Sequence, residues 1–404
     1  MKKIAVYLLV LLCLFLPFSS YLVSFFTNPY LSLVRDFLIV LVFVLVLFQT
    51  KLSKWREVST IFTVLLIVFT LLSYCWREAS SLQWLRGARF FLLPIVLFLS
   101  VKKIEFSDSD KKLLLKAILA ASLIVIIVAI LEFLGVKIPF GSSDGSGFIT
   151  DNNLVGGGIQ IRRLQSLLAG PNAFGLFTLS IIGFAVGAFQ FLHKKSYFYL
   201  ILLLPVLILT FSRSAVVGCC FGFLVLIYLF LTKKVNKFAA LGICLSAVLA
   251  ISVISYFFIN SSFAGFITHG DSTDQRVVQY ERIWQTKFEI GLLGRGSGTA
   301  GPSSQYRLDG GPNHWTENVY LDTFEELGLI GLTLYLLLIF LVGFEINKIK
   351  RKDGFWQTAV FIFYGYLVAG LFINYYTGQV GLTFAWLAIG LSLNESNTNE
   401  KNFN

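Results

Sequence analysis

The chain of 404 residues is 56% hydrophobic and only 14% charged, whereas ordinary soluble domains are about 45–50% apolar and about 25% charged. Apolar runs of the ~20 residues that a bilayer core requires recur along its length, which excludes a soluble globular fold. The net charge of +11 gives no support for nucleic acid binding, because much of it is the Lys and Arg that orients membrane spans.

The apolar runs predict an all-α polytopic integral membrane protein with about 12 transmembrane helices in one membrane domain, residues 1–404. The first run follows Met1-Lys2-Lys3 and lacks the small-residue cleavage site of a signal peptide, so it is interpreted as the first span. The predicted spans lie near 4–26, 31–50, 57–75, 88–101, 113–134, 165–191, 196–211, 214–231, 238–259, 319–345, 355–373 and 378–394.

Clusters of Lys and Arg recur in alternate breaks between the spans, as the positive-inside rule expects of cytoplasmic segments. Both termini are therefore predicted in the cytoplasm, and the two long breaks, 135–164 and 260–318, on the outer face. In the second break, Ser272 with Gln275 forms a capping-box pattern and Gly291 ends the helical stretch. This pattern predicts an amphipathic helix near 273–290 that lies over the membrane face.

The sequence contains no motif that calls for a metal or a cofactor. The five cysteines lie in or beside apolar segments without a CxxC pair, which is typical of small core residues. HExxH and a Walker A lysine are missing from the sequence. The segment GSGTAG, residues 296–301, matches GxGxxG but follows no strand, so it is interpreted as a loop, with a phosphate cradle of backbone amides as the alternative.

Basic residues differ in kind between the two predicted sides. The predicted cytoplasmic segments hold 18 Lys and two Arg, whereas the outer loops and the spans hold 11 Arg and two Lys. A guanidinium stays charged in low dielectric and offers a planar fork that fits phosphate or carboxylate. The outer face is therefore predicted to hold an anion; the alternative is that these arginines pair with outer carboxylates or reach to lipid headgroups.

Three clusters at the outer boundary carry candidate anion ligands. Arg163 precedes a Gly-Pro-Asn break that includes Asn172, in RRLQSLLAGPNAFGLF. Arg213 lies between two serines in LTFSRSAVVG, where an arginine so close to apolar residues marks a functional site or a buried partner. Arg276 and Arg282, in the predicted amphipathic helix, are about 120° apart around its axis, so they are not expected to enter one pocket together.

The segment GPNHWTENVYLDTFEELGLIGL, residues 311–332, places ionisable groups at the start of a predicted span. Asn318 and Asp322 fall on one polar stripe, and acidic groups in a first helical turn also suit the helix dipole. These residues are therefore acceptor-side groups of a site or simply part of the helix start. A general base near the entrance of the site favours His314 and Glu317.

The order of these motifs resembles that of the bacterial O-antigen ligases and the O-antigen or capsule polymerases of the Wzy type, over roughly residues 84–345. The resemblance implies a GT-C-like membrane glycosyltransferase that uses neither a nucleotide sugar nor a metal. Its donor would be a glycan on undecaprenyl diphosphate, held at the outer face by arginines and transferred to a glycan acceptor. Flippase and chain-length regulator proteins are further candidate partners.

By position, Arg213 matches the family's serine-flanked arginine, Arg282 or Arg276 its loop arginine, and Asn318 its asparagine before Tyr-Leu. Ligases of this family usually carry His directly before that asparagine, where this chain has Glu317. The departure favours a polymerase over a ligase, and it leaves His314, Glu317 or neither as the base.

The resulting prediction is a polymerase that joins undecaprenyl-diphosphate-linked repeat units at the outer face of the bacterial cytoplasmic membrane. A ligase that transfers the finished glycan to lipid A core or another acceptor is the alternative. The residues predicted to bind the diphosphate are Arg213, Arg282, Arg276 and Arg163. A transporter is disfavoured because the sequence shows no internal repeat and most ionisable groups lie at the outer boundary rather than at mid-membrane.

Overall fold

The computed structural model describes residues 2–26, 28, 30–51, 55–136, 153–156, 159–192, 195–246, 248, 270–306, 314–349 and 352–399. Parts of both predicted long loops, 137–152, 157–158, 260–269 and 307–313, lie outside the described residues. The α-helices are α1 (Lys2–Phe15), α2 (Ser19–Phe25), α3 (Leu31–Gln49), α4 (Val58–Leu72), α5 (Ser81–Lys103), α6 (Asp108–Phe133), α7 (Pro171–Leu192), α8 (Lys195–Leu209), α9 (Arg213–Leu231), α10 (Lys237–Ser246), α11 (Gly270–Ile290), α12 (Val319–Lys348), α13 (Gly354–Ala369) and α14 (Gln379–Asn399).

A short hairpin departs from the all-α prediction. Strands β1 (Asn153–Gly156) and β2 (Ile159–Arg162) pair antiparallel within the predicted first outer loop. In β2, Ile159 and Ile161 alternate with Gln160 and Arg162, as is typical of a strand, and a glycine run precedes them in the sequence, which suits a turn.

Eight helical segments of the described residues are long and apolar enough to cross a membrane: Lys2–Phe25, Leu31–Gln49, Val58–Cys75, Ser81–Lys103, Asp108–Phe133, Pro171–Gln190, Arg213–Leu231 and Val319–Lys348. Four shorter apolar helices are Phe198–Leu209, Lys237–Ser246, Gly354–Ala369 and Gln379–Asn394. Their positions follow those of the predicted spans, and they support a polytopic membrane protein. The number of twelve spans stays a prediction.

Two helix starts differ from the predicted span starts. Helix α5 begins at Ser81 rather than near residue 88, because the Ser80 side chain caps it by accepting from the Gln83 N–H at 3.3 Å. Helix α7 begins at Pro171 rather than near residue 165. Proline suits a first helical position because its missing N–H has no partner there.

The centre of the bundle is formed by α13 and α14, which pack against α9, α7 and α5. Small residues allow the closest approaches, as is common between membrane helices. A Cβ at Gly218 of α9 would lie 2.6 Å from the backbone oxygen of Gly365 in α13, and one at Gly222 would lie 2.7 Å from that of Phe361.

A buried charged network joins α4, α5 and α12 at the lysine end of the bundle, which we define by residues 51, 55–57, 103–107, 232–236, 349 and 352–353. The ammonium group of Lys102 lies 2.8 Å from a carboxylate oxygen of Glu57 and 2.6 Å from one of Glu345. Ser59 accepts from Lys102 at 2.7 Å. Lys102 is only 3% exposed, and such a charge is tolerated in the interior because it is paired.

Helix α12 is broken near its start. Gly328 has φ +64° and ψ −167°, which interrupts the helical ladder. The loop 291–296 supplies the missing partners: the N–H groups of Arg295 and Gly296 donate to the backbone oxygens of Glu325 and Glu326 at 3.0 and 2.8 Å. Irregular backbone at membrane depth is tolerated only where protein satisfies it in this way.

The contact between the loop and the broken helix requires glycine on both sides. A Cβ at Gly328 would lie 2.3 Å from the backbone oxygen of Leu292, and one at Gly294 would lie 2.3 Å from the Gly328 nitrogen. Both glycines have positive φ, which costs other residues free energy.

We predict that Gly328→Ala destabilises the protein by about 2 kcal/mol or more, because it adds left-handed strain and a steric clash. The thermal midpoint of the detergent-solubilised full chain, followed by loss of the monodisperse gel-filtration peak, measures this. Gly242→Ala is the matched control, since no atom lies within 4 Å of a Cβ built there. Equal midpoints for the two variants would contradict the role given to the break.

Candidate functional site

The site lies at the opposite end of the bundle from the lysine end, where the chain enters α12. Asn318 is the N-cap of this helix: its side-chain oxygen accepts from the N–H groups of Tyr320 and Leu321 at 3.0 and 3.2 Å. Its amide nitrogen donates to the backbone oxygen of Leu371, after α13, at 3.2 Å. These bonds are those of a structural cap, and they hold residues 314–318 in place.

A histidine and a buried glutamate form the first half of the site. The Nδ1 atom of His314 lies 2.6 Å from a carboxylate oxygen of Glu325, which is 0% exposed. Arg282 of α11 grips the same carboxylate through two parallel bonds of 2.8 Å each. Nη1 of Arg295 lies beside this contact, 3.7 Å from the same oxygen of Glu325 and 3.3 Å from Nδ1 of His314.

This arrangement orients the imidazole. The short contact indicates that Nδ1 of His314 donates to Glu325, so the lone pair is left on Nε2. A carboxylate that fixes the tautomer in this way also stabilises the imidazolium that forms when Nε2 takes a proton. His314 with Glu325 is therefore equipped to act as a general base.

Three arginines and one glutamate form the second half. Nε and Nη2 of Arg276 both donate to one carboxylate oxygen of Glu317, the first at 2.6 Å. Arg213, at the start of α9, lies within electrostatic range of Arg276 and Glu317. Arg163 lies within range of Arg213 and Glu317. We call Arg163, Arg213 and Arg276 the arginine cluster.

The position of Arg163 is set by the neighbouring turn. Its Nε donates to the backbone oxygen of Thr210 at 3.0 Å, and its Nη2 donates to the side-chain oxygen of Asn172 at 2.9 Å. Burial lowers the pKa of the Arg163 guanidinium; the charge of Glu317 opposes this shift and that of Arg213 adds to it. Arginine nevertheless stays protonated in proteins, so the cluster remains cationic.

Residues 198–336 match the family model Wzy_C, described as O-antigen ligase. Over this region the chain is similar to the O-antigen ligase family. The match confirms the family that the motifs predict, and no curated protein matches the chain significantly. The matched region includes these residues of the site: Arg213, Arg276, Arg282, Arg295, His314, Glu317 and Glu325.

The O-antigen ligase and polymerase family implies a lipid-linked glycan donor and an acceptor. Together with the spanning helices, it supports a protein of the bacterial inner membrane. Within the described ranges, no group of three or more His, Cys, Asp or Glu side chains could hold a metal ion. Metal-independent transfer stays a prediction.

The two arginines of α11 in the Wzy_C domain serve different carboxylates. Their 120° separation predicts that they do not enter one pocket together, and Arg276 binds Glu317 whereas Arg282 binds Glu325. Glu317 lies before α12 and Glu325 lies within it, so the two carboxylates are separate partners for the two arginines. Nη1 and Nη2 of Arg282 both donate to Glu325. Arg282 is therefore not part of the arginine cluster.

The acidic residues at the start of α12 are buried rather than solvated. Asp322 is 2% exposed and accepts from the backbone N–H and the hydroxyl of Thr316 at 3.1 and 2.7 Å. Asn374 donates to its other oxygen. These side chains are buried because residues 291–306 fold back over the start of the helix. The periodicity of the sequence does not reveal a contact between segments so far apart in the chain.

The segment GSGTAG, within the matched region, also has a structural role. The Gly298 N–H donates to the carboxylate of Glu326 at 3.0 Å, and the Gly301 N–H donates to the backbone oxygen of His314 at 2.9 Å. Its amides therefore hold the protein's own groups, and the loop supports the segment that carries His314.

Sequence reasoning missed Glu325 and Arg295 as members of the site. Arg295 was among the 11 outer or span arginines, which was a usable signal. Glu325 is one of the acidic groups at the start of α12, and only its contact with His314 distinguishes it from Glu326, which contacts Gly298 instead.

We predict that Arg282→Met destabilises the chain by about 2 kcal/mol, because truncation leaves Glu325 buried with fewer partners. The double variant Arg282→Met, Glu325→Leu should recover part of this loss, since it removes the uncompensated charge. Thermal midpoints of the unaltered protein, Arg282→Met, Glu325→Leu and the double variant measure the coupling. Glu289→Gln is the control, because that side chain is 72% exposed in its pair with Arg295 and such pairs contribute little. If the losses of stability of the two single variants simply add in the double variant, the pairing of Arg282 with Glu325 is contradicted.

Proposed function

We propose that this protein is a polysaccharide polymerase that joins undecaprenyl-diphosphate-linked glycan repeat units at the outer face of the cytoplasmic membrane. The observation that supports it most is that the arginine cluster and the oriented histidine lie beside the same two segments. These segments are α11 and residues 314–325, which are joined by the pairs Arg276–Glu317 and Arg282–Glu325. Arg276 binds Glu317 in one half of the site, and Arg282 binds Glu325 in the other half. The two arginines are six residues apart on α11, or about 9 Å along its axis. That spacing suits a diphosphate on one side and an acceptor hydroxyl on the other.

In the proposed reaction, the acceptor hydroxyl attacks the anomeric carbon of the donor glycan. Nε2 of His314 takes the hydroxyl proton, and Glu325 stabilises the imidazolium. The bond between the anomeric carbon and the diphosphate oxygen breaks, and its electron pair leaves with undecaprenyl diphosphate. The arginine cluster stabilises this developing charge, as preorganised cations in a partly dry site do.

His314 suits the role of base better than Glu317. One carboxylate oxygen of Glu317 accepts from two nitrogens of Arg276, so it is engaged by a guanidinium rather than free to take a proton from an acceptor. The imidazole of His314 is held by Glu325 at one nitrogen, and the other keeps its lone pair.

A ligase is the second candidate. The description of the matching family as O-antigen ligase favours it, and the chemistry is the same with a different acceptor. Glu317 in place of the histidine usual in ligases favours the polymerase. We also propose that both termini are cytoplasmic, and that flippase and chain-length regulator proteins are partners.

Deletion of the gene separates the candidates when the surface glycan is resolved on gels. A polymerase predicts loss of long chains with a single repeat unit still attached. A ligase instead predicts accumulation of full-length glycan on its lipid carrier. Accumulation of a precursor at the cytoplasmic face would contradict both.

We predict that Arg213→Ala abolishes chain extension while the protein level in the membrane stays normal, because the leaving diphosphate loses a fixed cation. Arg213→Lys should also fail, since a point charge does not reproduce the guanidinium fork. His314→Ala should lower the rate by about 10²- to 10⁴-fold. Lys287→Ala, which removes a cation from α11 outside the cluster, is the matched control. Normal glycan from Arg213→Ala would refute the diphosphate site.

A further inference from the structure

Glu317 is an unusual neighbour for a site that has to bind an anion. Three guanidinium groups surround this single carboxylate: Arg276 by direct bonds, and Arg163 and Arg213 within electrostatic range. The cluster and Glu317 together carry two net positive charges. The Glu317 side chain is 29% exposed, whereas that of Glu325 is 0% exposed, so Glu317 is open to a ligand in a way that Glu325 is not.

Arg163 is held independently of Glu317. It is fixed by Thr210 and Asn172. Arg213 begins α9 directly after the turn to which Arg163 is bonded. Arg163 therefore stays in place if the Glu317 carboxylate shifts, and a phosphate group that enters finds this cation preorganised.

We propose that Glu317 is a specificity residue that sets the charge of the diphosphate site, so that the site accepts the donor and releases the product. This inference rests on the proposed function. Transfer forms the bond from the acceptor oxygen to the anomeric carbon and breaks the bond from that carbon to the diphosphate. The acceptor proton goes to His314, and the electron pair stays on the diphosphate, which gains one negative charge.

Charge then distinguishes donor from product. The donor is a diphosphate diester with two negative charges, equal to the net charge of the cluster with Glu317. The product is a monoester with close to three at neutral pH, since the second pKa of a terminal phosphate is about 6. Because Coulomb energy scales with ligand charge, the Glu317 carboxylate repels the product about 1.5 times as strongly as the donor.

The test measures binding to the purified full chain in detergent by isothermal titration calorimetry. The probes are farnesyl diphosphate, a monoester, and N-acetylglucosamine linked to farnesyl diphosphate, a diester. Glu317→Gln keeps the size of the side chain and an oxygen that accepts from Arg276. We expect this variant to bind the diester about 10-fold more tightly and the monoester about 30-fold more tightly than the unaltered protein.

Glu281→Gln is the matched control. Glu281 is exposed on α11, and its loss changes the net charge equally, so less than a twofold effect is expected on both probes. A thermal midpoint of Glu317→Gln within the range of the control shows that the fold is kept. In turnover, Glu317→Gln should show stronger inhibition by added farnesyl diphosphate.

Unchanged or weaker binding by Glu317→Gln overturns the inference, and so does equal tightening toward both probes. Arg213→Ala separates this failure from that of the proposed function. If Arg213→Ala loses monoester binding while Glu317→Gln leaves it unchanged, the diphosphate site stands and only the role of Glu317 is wrong. If the unaltered protein and Arg213→Ala bind both probes equally, the diphosphate site itself is wrong, and the inference with it.

Discussion

The break in α12 at Gly328 is the constraint on which the site depends. A membrane helix loses backbone hydrogen bonds where it breaks, and these groups need partners within the protein. Here the partners come from the loop 291–296, which meets the helix through two glycines at distances that no side chain allows. Docking of this loop carries Arg295 and the following residues onto the start of α12.

Burial of carboxylates follows from that docking. Once residues 291–306 cover the helix start, Asp322, Glu325 and Glu326 face protein, and each has to find hydrogen-bond donors. Asp322 takes Thr316, Glu326 takes the amide of Gly298, and Glu325 takes Arg282 and His314. The same contacts that satisfy these groups fix the chain before α12 and hence the imidazole.

The two glutamates that contact α11 differ in burial, and this difference divides the site. Glu325 is enclosed and bound on two edges, so it suits a permanent orienting role. Glu317 is partly exposed and bound to an arginine that is itself 23% exposed. In the proposed function, the fixed carboxylate beside the histidine serves the end of the site where a proton moves, and the more exposed one among the cations serves the end where a diphosphate leaves.

The sequence by itself determined the membrane class, the approximate positions of the spans, the family, and the presence of cationic groups beside α12. These features are local: apolar runs of bilayer length, charge in the breaks, and motifs read in order. Only the tertiary structure decided that Arg276 pairs with Glu317 and Arg282 with Glu325, across 41 and 43 residues. It also decided that Glu325 rather than Glu326 meets His314, and that Gly328 breaks the helix. The physical reason is that partners so far apart in sequence are chosen by how the loop 291–306 and α11 pack over α12, which no local period or composition encodes.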